Sequence, residues 1–177
     1  MASAAHTPYL SVEDYLAHTY RPDVDYVDGH LEERNLGEYD HSTLQGALMM
    51  LFHSNRRAWH IRVAVELRVQ TSPARFRIPD VVVLSAEGPK EQIVRRPPLL
   101  CLEVLSPEDT LRRMLIRIQD YFAMGVPEVW IFDPQQRTVT VCTPGGSTIE
   151  RASGLLELAG TPIVVDIAEV FSALDED

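Results

Sequence analysis

The segment Leu99-Leu100-Cys101-Leu102-Glu103-Val104-Leu105 constrains this chain most. It is apolar at odd and even positions alike, so both faces of the strand it forms must be covered. Such a strand belongs in the middle of a sheet. The next residues suit that place. Ser106-Pro107-Glu108-Asp109 reads as a helix start, with Ser106 as N-cap, Pro107 at N1 and acids in the first turn. Leu111, Met114, Leu115, Ile118, Tyr121 and Phe122 then form one apolar stripe at helical spacing, and Gly125 ends it. Val129–Phe132 is a further core strand, and Asp133-Pro134 opens a turn into Thr138–Cys142.

The other elements fit around this centre. A short helix starts at Ser11, with Ser11 and Asp14 in capping positions. Val24–Val27 and Leu31–Arg34 flank Asp28-Gly29-His30, which predicts a hairpin. A helix runs from Asp40 or Ser42 to about Asn55, with Leu44, Ala47, Leu48, Leu51 and Phe52 in helical phase. Ile61–Val69 alternates as a strand, with Arg62, Ala64, Glu66 and Arg68 on its polar face. Ile78–Leu84 is a second strand, and a last helix starts at Asp166, capped reciprocally with Glu169. The expected class is α+β, with a central mixed sheet flanked by helices, in one domain over residues 1–177.

Charge is unevenly spread. The net value is −10, yet residues 1–55 carry −7, residues 56–117 carry +5 and residues 118–177 carry −8. The middle holds 11 of the 15 arginines. An acidic chain is a poor nonspecific nucleic-acid binder, but a basic central face permits a phosphodiester partner. The simpler expectation is that these arginines pair with the acidic ends. Apolar runs are too short to cross a bilayer, and the N-terminus has no leader pattern. Cys101 and Cys142 sit in apolar surroundings, as reduced core residues of a cytoplasmic protein would. The six histidines offer no i, i+4 pair for zinc, and no P-loop, GxGxxG or GxSxG is present. Trp59, Trp130 and the tyrosines read as core.

Two carboxylates stand out. Asp80 follows Pro79 and opens Val81-Val82-Val83-Leu84, and Glu103 lies inside the doubly apolar segment. A buried carboxylate is costly unless paired, protonated or bound to a metal. Two of them on adjacent strands suit Mg²⁺, or Mn²⁺, which needs few protein oxygens. Glu66 adds a third carboxylate. Arg117 falls beside Met114 and Tyr121, at the margin of the helix's apolar stripe, from where it can lean toward Glu103.

The combination Pro79-Asp80, Glu103-Val104-Leu105-Ser106-Pro107, Arg117-x-x-x-Tyr121 and Gly125-Val126-Pro127-Glu128-x-Trp130-x-x-Asp133-Pro134 resembles the Uma-type restriction endonucleases of the PD-(D/E)XK nuclease superfamily. The likeness extends from Asp25-Tyr26-Val27-Asp28-Gly29 through His41 and Glu66 to Asp133-Pro134. It implies a restriction-endonuclease-like αβββαβ core and Mg²⁺-dependent hydrolysis of DNA. Asp80, Glu103 and the Val104 carbonyl match the metal ligands. Glu66, His41, Asp25 and Tyr121 match further positions of the pattern. The superfamily lysine, two residues after the glutamate, is Leu105 here. The Uma-type family moves it to the following helix, where this chain has Arg117, which cannot act as a general base. The resemblance also implies a homodimer, since double-strand cleavage needs two sites. The rival expectation is a catalytically degenerate nuclease fold serving as a binding or assembly protein, with another protein as partner.

Overall fold

The computed structural model describes residues 9–35 and 37–175. The first eight residues, where the leader reading falls, and the Leu111 side chain lie outside what is described.

Helix α1 (Val12–Ala17) is capped by the Ser11 hydroxyl, which accepts from the Asp14 N–H. Strands β1 (Val24–Val27) and β2 (His30–Glu33) form the expected hairpin. Its turn is Asp28-Gly29 alone, with φ of 48° and 89°, so His30 belongs to the strand. Asp-Gly suits this two-residue turn because both positions need positive φ. Helix α2 (Tyr39–Asn55) follows, starting one residue before the expected Asp40.

The predicted strand Ile61–Val69 is two strands. β3 (Ile61–Val65) ends at Glu66, whose φ of 51° breaks the extended backbone. β4 (Val69–Ser72) then joins a different sheet with β5 (Arg75–Arg77), which the sequence reading passed over. Glu66 therefore sits at a corner, not on a strand's polar face. Alternation continues through such a corner, so periodicity alone did not reveal it.

β6 (Val81–Ser85), β7 (Leu100–Val104) and β8 (Val129–Asp133) match the predicted core strands. The helix between β7 and β8 starts later than expected. Helix α3 runs Leu111–Met124 with Thr110 as N-cap, its hydroxyl accepting from the Arg113 N–H. Ser106 is instead in a turn: its N–H donates to Asp109 Oδ2 at 2.7 Å, and the Asp109 N–H donates back to its carbonyl. Leu115 also leaves the predicted stripe and is exposed. Gly125 ends α3 with φ of 103°, a conformation that favours glycine.

β9 (Thr138–Thr143) and β10 (Ser147–Arg151) form a hairpin, and β11 (Leu155–Glu157) pairs with β12 (Val164–Asp166). Helix α4 (Ile167–Ser172) has Asp166 as its N-cap, accepting from the Ala168 N–H; the described bonds include none back from Glu169. β9 and the start of α4 at Asp166 fall where expected, while β10, β11 and β12 were not expected; β10 is exposed throughout and carries no apolar pattern.

The central sheet has the order β10-β9-β8-β7-β6-β3 and is mixed, with β7 and β8 parallel. A second, antiparallel sheet has the order β2-β1-β5-β4. The alternation of β7 explains how two cores form. Leu100, Leu102 and Val104 pack with Leu44, Leu48 and Phe52 of α2. Cys101 packs with Met114, Ile118 and Tyr121 of α3. Strand period two thus puts Glu103 on the α3 face. Both cysteines are buried and free, and Trp130 is fully buried, as expected. Among the described residues no helix is long and apolar enough to cross a membrane.

Candidate active site

The antiparallel register of β6 and β7 pairs Val81 with Leu102 and Val82 with Cys101. Continued by one position, it sets Asp80 opposite Glu103. Directly opposed residues of an antiparallel pair project from the same face. Both side chains are buried, at 2% and 0% exposure. The strand ends therefore bring two carboxylates together where the apolar sheet stops.

Their partners differ. Asp80 Oδ2 accepts from the Val104 N–H at 2.7 Å and lies 3.3 Å from His41 Nε2, while Oδ1 accepts from Arg34 Nη2. Burial pushes its pKa up, but the His41 hydrogen bond, the Arg34 charge and the Val104 N–H together bring it below the ordinary value. Glu103 Oε2 accepts from Arg117 Nη1 at 3.1 Å, and Oε1 accepts from the Tyr121 hydroxyl at 2.6 Å. Complete burial pushes the Glu103 carboxyl up to about 7, against the lowering effect of Arg117. Arg117 and Tyr121 are four residues apart on α3, which puts them on one face of the helix.

Arg117 has a second anchor. Its Nη2 donates to Asp25 Oδ2 on β1 at 3.2 Å. Asp25 is 1% exposed; it also accepts from Arg77 Nη1 at 3.0 Å and from the Ile78 N–H. Arg77 in turn donates to Asp120 and Glu32. A chain of alternating charges thus runs Glu103–Arg117–Asp25–Arg77–Asp120, and Arg75 joins it through Asp120 and Asp28. Arg75, Arg77 and Arg117 of the basic middle do pair with the acidic ends, the simpler of the two charge readings.

The structure brings Asp80, Glu103, Arg117, Tyr121, Asp25 and His41 together. Glu66 is exposed and reaches only the adjoining cleft, of about 460 Å³, which it lines with Asp80, His41, Gln45 and Arg34. A second cavity of about 10 Å³, the scale of one water, lies among Asp80, Val104, Arg34, Arg113 and Arg117. Arg34, Arg77 and Asp120 were not foreseen. Arg34 left one signal, being one of two basic residues in the acidic stretch 1–55. Arg77 left another, standing between the apolar residues Phe76 and Ile78.

By donor type the residues fit a hard divalent cation. Asp80 lines the small cavity together with Val104, and Glu103 is buried at the position opposite Asp80; carboxylate oxygens are the donors such an ion takes. Among the described residues, no three His, Cys, Asp or Glu side chains gather as a ready-made metal cage.

The profile of the Uma2 family, described as "Putative restriction endonuclease", matches residues 12–171. The chain belongs to this family. It is similar in fold to a crystal structure from Anabaena variabilis described as "a putative nuclease belonging to DUF820". The two share 22% identity with a TM-score of 0.80, over 93% of this chain and 99% of that one. A cryo-electron microscopy structure of a DrdV–DNA complex aligns at 18% identity and a TM-score of 0.40, over 76% of this chain and 11% of that one. The comparison with curated proteins found no match.

The electrostatics of the site lead to two expected outcomes. Asp25→Ala leaves Arg77 and Arg117 buried without their shared partner, and should cost about 3–5 kcal/mol, the scale for breaking a buried ion pair; urea unfolding measures it. The second concerns pH. Unfolded Glu103 ionises near the ordinary 4.5, folded Glu103 only near about 7. Between those values the folded state holds a proton that the unfolded state has released. The contribution of Glu103 to stability is therefore full below the lower value and falls as pH rises through the upper one. His41, raised above its ordinary 6.5, acts in the same direction at higher pH, so the diagnostic window lies below that. Urea titrations of the metal-free protein from pH 4.5 to 6.5 should give a falling stability in wild type and a flatter profile in Glu103→Gln.

Proposed function

We propose that the chain is a nuclease that hydrolyses phosphodiester bonds in DNA with Mg²⁺ or Mn²⁺. The observation that carries this reading is the opposition of two buried carboxylates, Asp80 and Glu103, at the ends of paired strands. In a family of restriction endonucleases, that pair is best used as a metal site. Asp80, Glu103 and the Val104 carbonyl would hold the ion. When bound, it supplies Lewis acidity toward the phosphoryl oxygen and lowers the pKa of a water.

The remaining roles belong to this chain's own side chains. Arg117 is the cation that faces the added phosphate charge. Tyr121 orients Glu103 and Asp25 orients Arg117, each by the hydrogen bond described above. His41 and the Val104 N–H keep Asp80 ionised and fixed. Glu66 faces the cleft as the third carboxylate, near an entering strand. We take the active unit to be one domain over the whole chain and a homodimer, since one site cuts one strand.

A second reading has its own support. Every carboxylate oxygen of Asp80 and Glu103 already has a donor, and Arg117 is held by two acids. Those features suit a nuclease fold retained for binding or assembly with a protein partner. Calorimetric titration separates the two. Absence of Mg²⁺ and Mn²⁺ binding at millimolar concentration would favour the second.

Cleavage of supercoiled DNA with Mn²⁺ should be lost in Asp80→Ala and Glu103→Ala, and activity surviving both would sink the nuclease reading. In single-turnover assays Arg117→Ala should cost about 2.7–4 kcal/mol of barrier, the scale for one lost transition-state donor. Arg117→Lys should also be slower if the guanidinium is a fixed clamp, because lysine has no bidentate fork. Activity appearing only in the lysine variant would mark the natural protein as a disabled enzyme.

A further inference from the structure

Arg34 is the cation at the site that the proposed chemistry leaves without a task. It follows β2, and its side chain is only 12% exposed. One guanidinium nitrogen, Nη2, donates to Asp80 Oδ1. Another, Nε, is buried and has no hydrogen-bond partner among the described residues. Buried polar groups are almost always satisfied, so a spare donor on a buried guanidinium needs an explanation. The side chain also lines both the large cleft and the small cavity beside Asp80.

Asp80 has one carboxylate oxygen to offer a metal. Oδ2 is held by the Val104 N–H and lies against His41. Oδ1 has Arg34 as its single donor among the described residues. Two cations sharing that oxygen in a buried setting repel strongly, because the local dielectric is low. The ion and the guanidinium are therefore alternatives at Oδ1.

We propose that Arg34 is the exchangeable counter-cation of Asp80. Without metal it holds the oxygen that a divalent ion takes. When the ion binds, the guanidinium turns into the adjoining cleft, and its freed fork, Nε included, grips a phosphate of the substrate strand. An arginine fork matches phosphate oxygens through two parallel N–H bonds, which gives the unpaired Nε its partner. The exchange also keeps Asp80 charge-balanced in both states. This inference rests on the metal-binding reading of Asp80.

The test is calorimetric titration of Mn²⁺ into wild type, Arg34→Met and Arg34→Lys, each first checked for a cooperative thermal transition. A phosphorothioate DNA duplex is then titrated into each at saturating Mn²⁺. Arg34→Met should bind Mn²⁺ about tenfold more tightly than wild type, the scale on which neighbours of a ligand tune a metal site. It should bind the duplex about tenfold more weakly, as one lost charge-assisted contact predicts. Arg34→Lys keeps the buried charge, so it serves if the methionine variant does not fold. It should hold Mn²⁺ as wild type does and lose duplex affinity, for want of the fork. Equal or weaker Mn²⁺ binding in Arg34→Met, with wild type binding the ion, overturns the exchange and leaves the metal reading standing. Undiminished duplex affinity in either variant overturns the phosphate grip. No Mn²⁺ binding in any of the three proteins overturns the metal reading itself, and the exchange with it.

Discussion

The fork of Arg117 between Asp25 and Glu103 is the interaction on which the site's arrangement depends. It joins β1 to β7 and α3, two consecutive elements that the chain reaches much later. Asp25 passes the connection on to Arg77 of β5, and Arg77 passes it to Asp120, back on α3. The circuit closes around the seam between the small sheet and the α3 face of the large one. Apolar cores tolerate some sliding at modest cost. A circuit of buried, alternating charges does not, because any displacement leaves an ion without its partner in a poor solvent for ions. The small sheet is therefore docked by charge as well as by apolar contact, and the same docking aims Arg117 at Glu103.

The two carboxylates are driven apart in character by what surrounds them. Asp80 sits where the strand begins and receives a backbone N–H, an imidazole and a guanidinium. Glu103 sits inside the strand and has one guanidinium, shared with Asp25, and a phenol. More donors hold Asp80 ionised, and fewer leave Glu103 near the proton's reach at neutral pH. Neighbouring acids with separated pKa values can take different roles at one site. Here the division has a visible origin, the position of each residue relative to the strand end.

Much of this was legible in the sequence, and what was missed has a physical pattern. Glu103 was readable because an acid inside a doubly apolar strand contradicts its surroundings. Arg117 was readable because helical phase puts it beside Met114 and Tyr121. The break at Glu66 was not, because a corner preserves the alternation that signals a strand and differs only in one backbone angle. The start of α3 was misplaced because Ser106, Pro107 and Asp109 are good capping residues that the protein uses for a turn four residues early. The pairings of Arg34 and Arg77 were not readable, because their partners lie more than forty positions away, as with Arg34 and Asp80, 46 positions apart. Local pattern carries no information on such pairings.

Position 117, where the resembled pattern carries a lysine, is held in the network by two buried acids. A lysine at 117 would present one ammonium, a point charge on a flexible stem. Arginine presents separate nitrogens, and this chain uses one for Glu103 and another for Asp25. Arg117 is thus accommodated by a buried acid on a different sheet, and it is held charged, far above its ordinary value, chiefly by Glu103 and Asp25. A group in that state cannot exchange protons with a water. In a hydrolytic cycle at this site, residue 117 can stabilise phosphate charge but cannot take the proton. The proton must pass to solvent, to the substrate's own phosphate oxygens, or to a neighbouring group that titrates near neutrality. The arginine that closes the network thereby leaves the handling of that proton to groups other than residue 117.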